Sequence, residues 1–203
     1  MVCSIVIMIM LYFFWSYTQK YLSSERPATQ GIIDKMHDSD LVCKLNVYLS
    51  NHPTFAKLNI ILTTLLLDIN IVYVILSSII NDDSRPIFLI VFGIISRQLC
   101  QFVNKLPTPQ NMIWFDPHFP TFFMMYNTVN DFFFSGHTLI SIITGVTIYY
   151  QTTNILVALY AILFIIYEIS FVAISKSHYF MDIYAGASTY FMLNYIFDNY
   201  FNF

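Results

Sequence analysis

A histidine and an aspartate stand four residues apart in His178-Tyr179-Phe180-Met181-Asp182. At that spacing the two side chains share one face of a helix. The carboxylate then holds one imidazole nitrogen and leaves the other as an unprotonated nucleophile. A second histidine sits about two residues into an apolar helix, in Phe132-Phe133-Phe134-Ser135-Gly136-His137-Thr138. Ser135 suits the N-cap, so the first N–H groups of that helix aim at an anion. Gly136 lets a ligand or a neighbouring backbone come close. Taken singly, each piece also fits a plainer role. His137 and His178 suit a membrane interface, and Asp182 suits a helix N-terminus on macrodipole grounds alone.

The elements that must position these residues are set by composition. The chain has 203 residues, 57% hydrophobic and 10% charged, with mean hydropathy +0.63. Soluble domains carry about 25% charged residues, so lipid must solvate the surplus apolar surface. A net charge of -3 lacks the cationic footprint of a nucleic-acid partner. Cys3, Cys43 and Cys100 are too dispersed for a disulfide framework or a metal knuckle.

A bilayer core needs about 20 mostly apolar residues per helix. Six runs meet that need: 1–17, 58–80, 87–103, 132–150, 155–174 and 181–200. The expectation is an all-α, polytopic membrane protein, one domain over 1–203 with about six transmembrane helices in one bundle. The first run has no charged start and no small-residue cleavage site, so it reads as an anchor. The connection 104–130, with Pro107, Pro109, Pro117 and Pro120, reads as a long ordered loop.

Spanning helices alternate in direction. The end of span three, the start of span four, the end of span five and the start of span six therefore share one membrane face. Arg97, Lys105, Asp131, His137, His178 and Asp182 all fall there. Ionisable groups in spans are costly and are functional candidates by default. Asp68 and Glu168, both mid-span, read instead as structural hydrogen-bonding groups between helices.

The pieces together resemble the type 2 phosphatidic acid phosphatase superfamily, and within it the sphingomyelin synthase-like lipid phosphotransferases. Asp131-Phe132-Phe133-Phe134-Ser135-Gly136-His137-Thr138 is similar to that branch's D-x-x-x-S-G-H-T. Arg97 followed by Leu106-Pro107-Thr108-Pro109 is similar to its R…L-P-x-P, and His178-Tyr179-x-x-Asp182 to its H-Y-x-x-D. The likeness covers roughly 97–190, with a weaker part in 51–70. The phosphatase branch shows K-x6-R-P, P-S-G-H and S-R-x5-H-x3-D. Here the first element is absent, Phe134 stands for the proline and Val172 for the arginine.

The resemblance implies a phospholipid headgroup transferase with membrane lipids as partners, a phospholipid donor and a lipid alcohol acceptor such as ceramide or diacylglycerol. His178 would attack phosphorus, Asp182 would orient it, and His137 would serve as general acid and base. Arg97, Lys105, Ser135, Gly136 and Asp131 would bind substrate, with no metal and no cofactor. An endomembrane (endoplasmic reticulum or Golgi) or plasma-membrane location follows, with the site on the lumenal or exoplasmic face. By contrast, Lys20, Arg26, Lys35, Lys44 and Lys57 against Arg85 would make that face cytosolic. A lipid phosphate phosphatase is the main rival reading. A metal hydrolase and a non-catalytic lipid-binding protein are two others.

Overall fold

The computed structural model describes residues 6, 9–10, 12–18, 32–104, 106–123 and 132–201. From residue 40 onward the described residues form α1 (Asp40–Asn51), α2 (Pro53–Ile80), α3 (Arg85–Val103), α4 (Gly136–Gln151), α5 (Ile155–Ile174) and α6 (Phe180–Tyr200). No strand occurs among the described residues, in line with the all-α expectation. The helix boundaries have local causes. Pro53 opens α2, where its missing N–H is no loss. Asp82 turns the chain in a left-handed conformation (φ 53°), and Asp83 Oδ1 accepts from the Arg85 N–H at 3.0 Å to start α3. Asn154 Oδ1 caps α5 by accepting from the Leu156 N–H at 2.9 Å.

Three helices among the described residues are long and apolar enough to cross a membrane: α2, α3 and α5. Of the six expected spans, these three meet that measure among the described residues. The candidate 1–17 lies largely outside the described residues. The run 132–150 does not begin as a helix. Phe133 adopts φ 82° and Ser135 is the N-cap, so α4 starts at Gly136 and has only 16 residues. At a rise of 1.5 Å per residue it is about 24 Å long, short of a hydrocarbon core of about 30 Å. Helix α6 has the length, but Asp182, Asn194, Asp198 and Asn199 dilute its apolar character.

The short α4 is the centre of the bundle and packs against α2, α3, α5 and α6. Val74 of α2 clusters with Ile148 of α4, and Ser77 Oγ donates to Gln151 Oε1 at 2.8 Å. These contacts make α2 and α4 run parallel. Gly93 of α3 lies against Leu139, and Arg97 against Gly136, so α3 runs antiparallel to α4. A buried core of Leu67, Ile71, Leu139, Ile143, Phe164 and Leu193 joins the helices around α4. Leu156, Leu159, Leu163 and Ile166 project outward from α5, as residues facing lipid must.

Candidate active site

The unequal helix lengths create a recess. Gly136, the first residue of α4, is level with Arg97, and α3 continues six residues beyond it to Val103. Helix α6 begins six residues before Gly186, which packs on Ser135. Each overhang is about 9 Å. Counting back from the Ser77–Gln151 bond, α2 overhangs the start of α4 by about 13 Å. The catalytic candidates sit at the floor of this recess.

Both halves of the candidate site meet there. Asp182 Oδ2 lies 3.1 Å from His178 Nδ1, with both side chains buried. The same oxygen accepts from the Tyr179 N–H at 3.1 Å, so Asp182 closes the first turn of α6 while it holds the imidazole. His178 Nε2 is the nitrogen left for chemistry. The backbone joins this half to the other: the Ser135 N–H donates to Asp182 O at 3.0 Å. A Cβ on Gly186 would lie 2.7 Å from Ser135 O, closer than real Cβ contacts. Only glycine lets α6 come this near to the start of α4.

Ser135 caps as its sequence position implies. Its Oγ accepts from the Thr138 N–H at 3.2 Å and from Thr138 Oγ1 at 3.0 Å. The N–H groups of Gly136 and His137 have no acceptor among the described residues. Arg97 is buried, and its Nε lies 3.0 Å from the place a Gly136 Cβ would occupy. The Arg97 guanidinium thus lies beside the first residue of α4, a helix start that favours an anion. His137 is buried, and its Nε2 has no hydrogen-bond partner among the described residues. The Trp114 ring meets it edge-on at 5.1 Å, and it lies close enough to interact electrostatically with His178 and Arg97. The structure therefore brings together Arg97, Ser135, Gly136, His137, His178 and Asp182. Lys105 and Asp131 lie outside the described residues.

The loop 106–123 supplies parts that sequence spacing did not reveal. Tyr179, beside His178, donates its hydroxyl to Pro107 O at 3.0 Å. The Leu106-Pro107-Thr108-Pro109 stretch is thereby tied to the His178 turn. The Ile113 N–H donates to Ser175 O at 2.7 Å, and Asn46 Nδ2 donates to Asn111 O and Ile174 O. Asp68 was expected to bond between helices, but its two oxygens accept from the Phe122 and Phe123 N–H groups at 2.8 and 3.2 Å. The loop thus dips to the middle of α2, deeper than the start of α4. Irregular backbone at such depth persists only where its polar groups are satisfied, and Asp68 satisfies two of them. Glu168 departs from the same expectation, since neither carboxylate oxygen finds a partner among the described residues.

The phenylalanine run before His137 divides its labour. Phe132 and Phe134 are buried, with the Phe132 ring edge-on to His178 at 6.1 Å. Phe133 lines an open, mainly apolar pocket of about 350 Å³ with Ile32, Asp34, Lys35, Leu106, Tyr179 and Met181. The polar segment before α1 also reaches the site. His37 contacts His178 O, and Asp34 contacts the Phe180 N–H. No local pattern marks either residue, because their partners lie more than 140 positions away.

These features define a helical membrane protein whose recess holds a His–Asp pair, a second histidine and an arginine beside a helix N-terminus. The family model for AtPDCT1/2, a phosphatidylcholine:diacylglycerol cholinephosphotransferase family, matches residues 39–199, and the chain belongs to that family. In general kind it is a lipid headgroup transferase, and membrane lipids are what such an enzyme acts on. No curated protein and no solved structure matches the chain.

Proposed function

We propose that the protein exchanges phosphocholine between phosphatidylcholine and diacylglycerol through a covalent intermediate on His178. The observation that carries this reading is the joined pair of motifs: His178 held by Asp182, and Asp182 O bonded to the residue that caps the helix of His137. His178 Nε2 would attack phosphorus, and the bond from phosphorus to the diacylglycerol oxygen would break. His137 Nε2 would give that oxygen its proton. The incoming diacylglycerol would return a proton to His137 and attack phosphorus, breaking the P–N bond. Phosphoryl transfer needs mainly positioning and charge stabilisation, which Arg97 and the Gly136 and His137 amides would supply.

Several features support a transferase over a hydrolase. Membership of a phosphatidylcholine:diacylglycerol cholinephosphotransferase family supports diacylglycerol, rather than ceramide, as the acceptor. The floor of the recess is walled by Phe132, Phe134 and Trp114, which disfavours water as the second nucleophile. The mainly apolar pocket beside Phe133 suits an acyl chain. Phe134 and Val172, where the phosphatase motifs carry proline and arginine, fit a sphingomyelin synthase-like branch of the phosphatidic acid phosphatase superfamily. The antiparallel run of α3 and α4 fits a reading in which the shorter helices also lie within the bilayer.

The test is product analysis with headgroup-labelled phosphatidylcholine in mixed micelles, with and without diacylglycerol of a distinct chain length. New labelled phosphatidylcholine bearing those chains is the expected product. Label released only as water-soluble phosphocholine or phosphate, whatever acceptor is supplied, would make the enzyme a hydrolase.

A further inference from the structure

The segment that precedes α1 lies across the turn that carries His178. His37 is buried, and its Nε2 is 3.0 Å from His178 O. A carbonyl only accepts, so His37 Nε2 carries the proton and donates. Its ring stacks on Tyr179, centroids 5.9 Å apart. Asp34 Oδ2 accepts from the Phe180 N–H at 2.7 Å, where the macrodipole of α6 favours a carboxylate. Asp34 Oδ1 accepts from the N–H groups of Met36 and His37, at 3.0 and 3.4 Å. Cys43 Sγ, at the start of α1, donates to His37 O at 3.1 Å. Three consecutive residues of the turn, His178, Tyr179 and Phe180, are thus each gripped by the same short segment.

Asp182 fixes the rotation of the imidazole and holds the Tyr179 N–H, and it leaves the His178 carbonyl and the Phe180 N–H to His37 and Asp34. We propose that His37 and Asp34 are positioning residues that clip the His178–Phe180 turn and keep His178 Nε2 aligned with the phosphorus; this rests on the reading of His178 as the nucleophile. Burial, the largest influence, lowers the His37 pKa against the opposing effects of Asp34 and the bond to His178 O. A neutral ring still donates from Nε2, so the clip does not need a charged imidazole.

The experiment compares His37→Ala, His37→Gln and Asp34→Asn with wild type, each as the full chain in mixed micelles. Misplacing a reacting group by about 1 Å costs up to about 100-fold in rate. His37→Ala should therefore lower kcat by roughly 10- to 100-fold with KM for phosphatidylcholine within about twofold, the pattern of a lost alignment rather than lost binding. His37→Gln, whose amide nitrogen can occupy the place of Nε2 and donate, should restore most of kcat. Asp34→Asn should fall between them. Unchanged kcat in His37→Ala, a loss confined to KM, or no rescue by glutamine would overturn the proposal. A second readout needs no turnover: diethyl pyrocarbonate should label His178 several-fold faster in His37→Ala than in wild type or His37→Gln. Equal labelling rates in all three would also overturn it. Should wild type transfer no headgroup while the labelling contrast holds, the transfer reading fails and the clip stands.

Discussion

His137 and His178 arrive at the floor of one recess by different physical means. His137 is placed by packing. It lies at the start of a central helix, where Gly186 lets α6 come against Ser135 O and Gly136 leaves room for Arg97. His178 is placed by hydrogen bonds. It precedes its helix, and its turn is held by Asp182, His37, Asp34 and the Tyr179–Pro107 bond. The difference matches the two roles proposed for them. An acid–base histidine must only stay within reach of an oxygen, whereas a nucleophile must approach phosphorus in line. Packing fixes where a side chain sits, and directional bonds fix where it aims.

The largest effect expected is chemical. His178→Ala should reduce headgroup transfer by on the order of 10⁴-fold, while Asp182→Asn, which keeps a hydrogen-bonding group, should retain measurable activity. Phosphatidylcholine–diacylglycerol exchange in mixed micelles measures both. Near-wild-type turnover in folded His178→Ala would remove the nucleophile from the account.

The packing half is tested next. Gly186→Ala puts a methyl group into Ser135 O, a backbone atom that cannot move aside alone. A stability loss of about 1–3 kcal/mol is expected, read as a lower melting temperature in detergent. Gly136→Ala meets the movable Arg97 side chain instead, so it should cost less stability but reduce transfer by displacing the guanidinium. Equal stability losses in the two variants would mean that the close approach of α6 is not what places His137.

The smallest effect belongs to the hydrogen-bonded half. Tyr179→Phe deletes the bond to Pro107 O and should cost about 0.5–1.5 kcal/mol. Limited proteolysis within residues 106–123 should rise as well, because the loop loses its tie to the His178 turn. Unchanged proteolysis would show that Asp68 and Asn46 hold the loop by themselves.

What the sequence made legible was local. The i, i+4 spacing of His178 and Asp182 and the serine cap before His137 both encode local contacts, and both contacts are present, although His178 precedes α6 rather than sharing a helix face with Asp182. The antiparallel run of α3 and α4 brings Arg97 level with Gly136. The cap at Ser135 is where the sequence puts it, but the apolar run 132–150 starts four residues before α4, because a positive φ at Phe133 is unusual for a bulky side chain and nothing nearby announces it. That offset made α4 look long enough to span, and it hid the recess. Asp68 looked like an interhelical group because its partners are loop amides, which no periodicity reports. Asp34 and His37 were invisible for the same reason: their bonds exist only once residues over 140 positions apart are folded together.

The central claim is a covalent bond between His178 and phosphorus. Wild-type protein incubated with choline-labelled phosphatidylcholine, without acceptor, and quenched at alkaline pH should carry label on the peptide that contains His178. Adding diacylglycerol before the quench should discharge that label into new phosphatidylcholine, and His178→Ala should carry none. Steady headgroup exchange in wild type with no label on that peptide at any time would contradict the account.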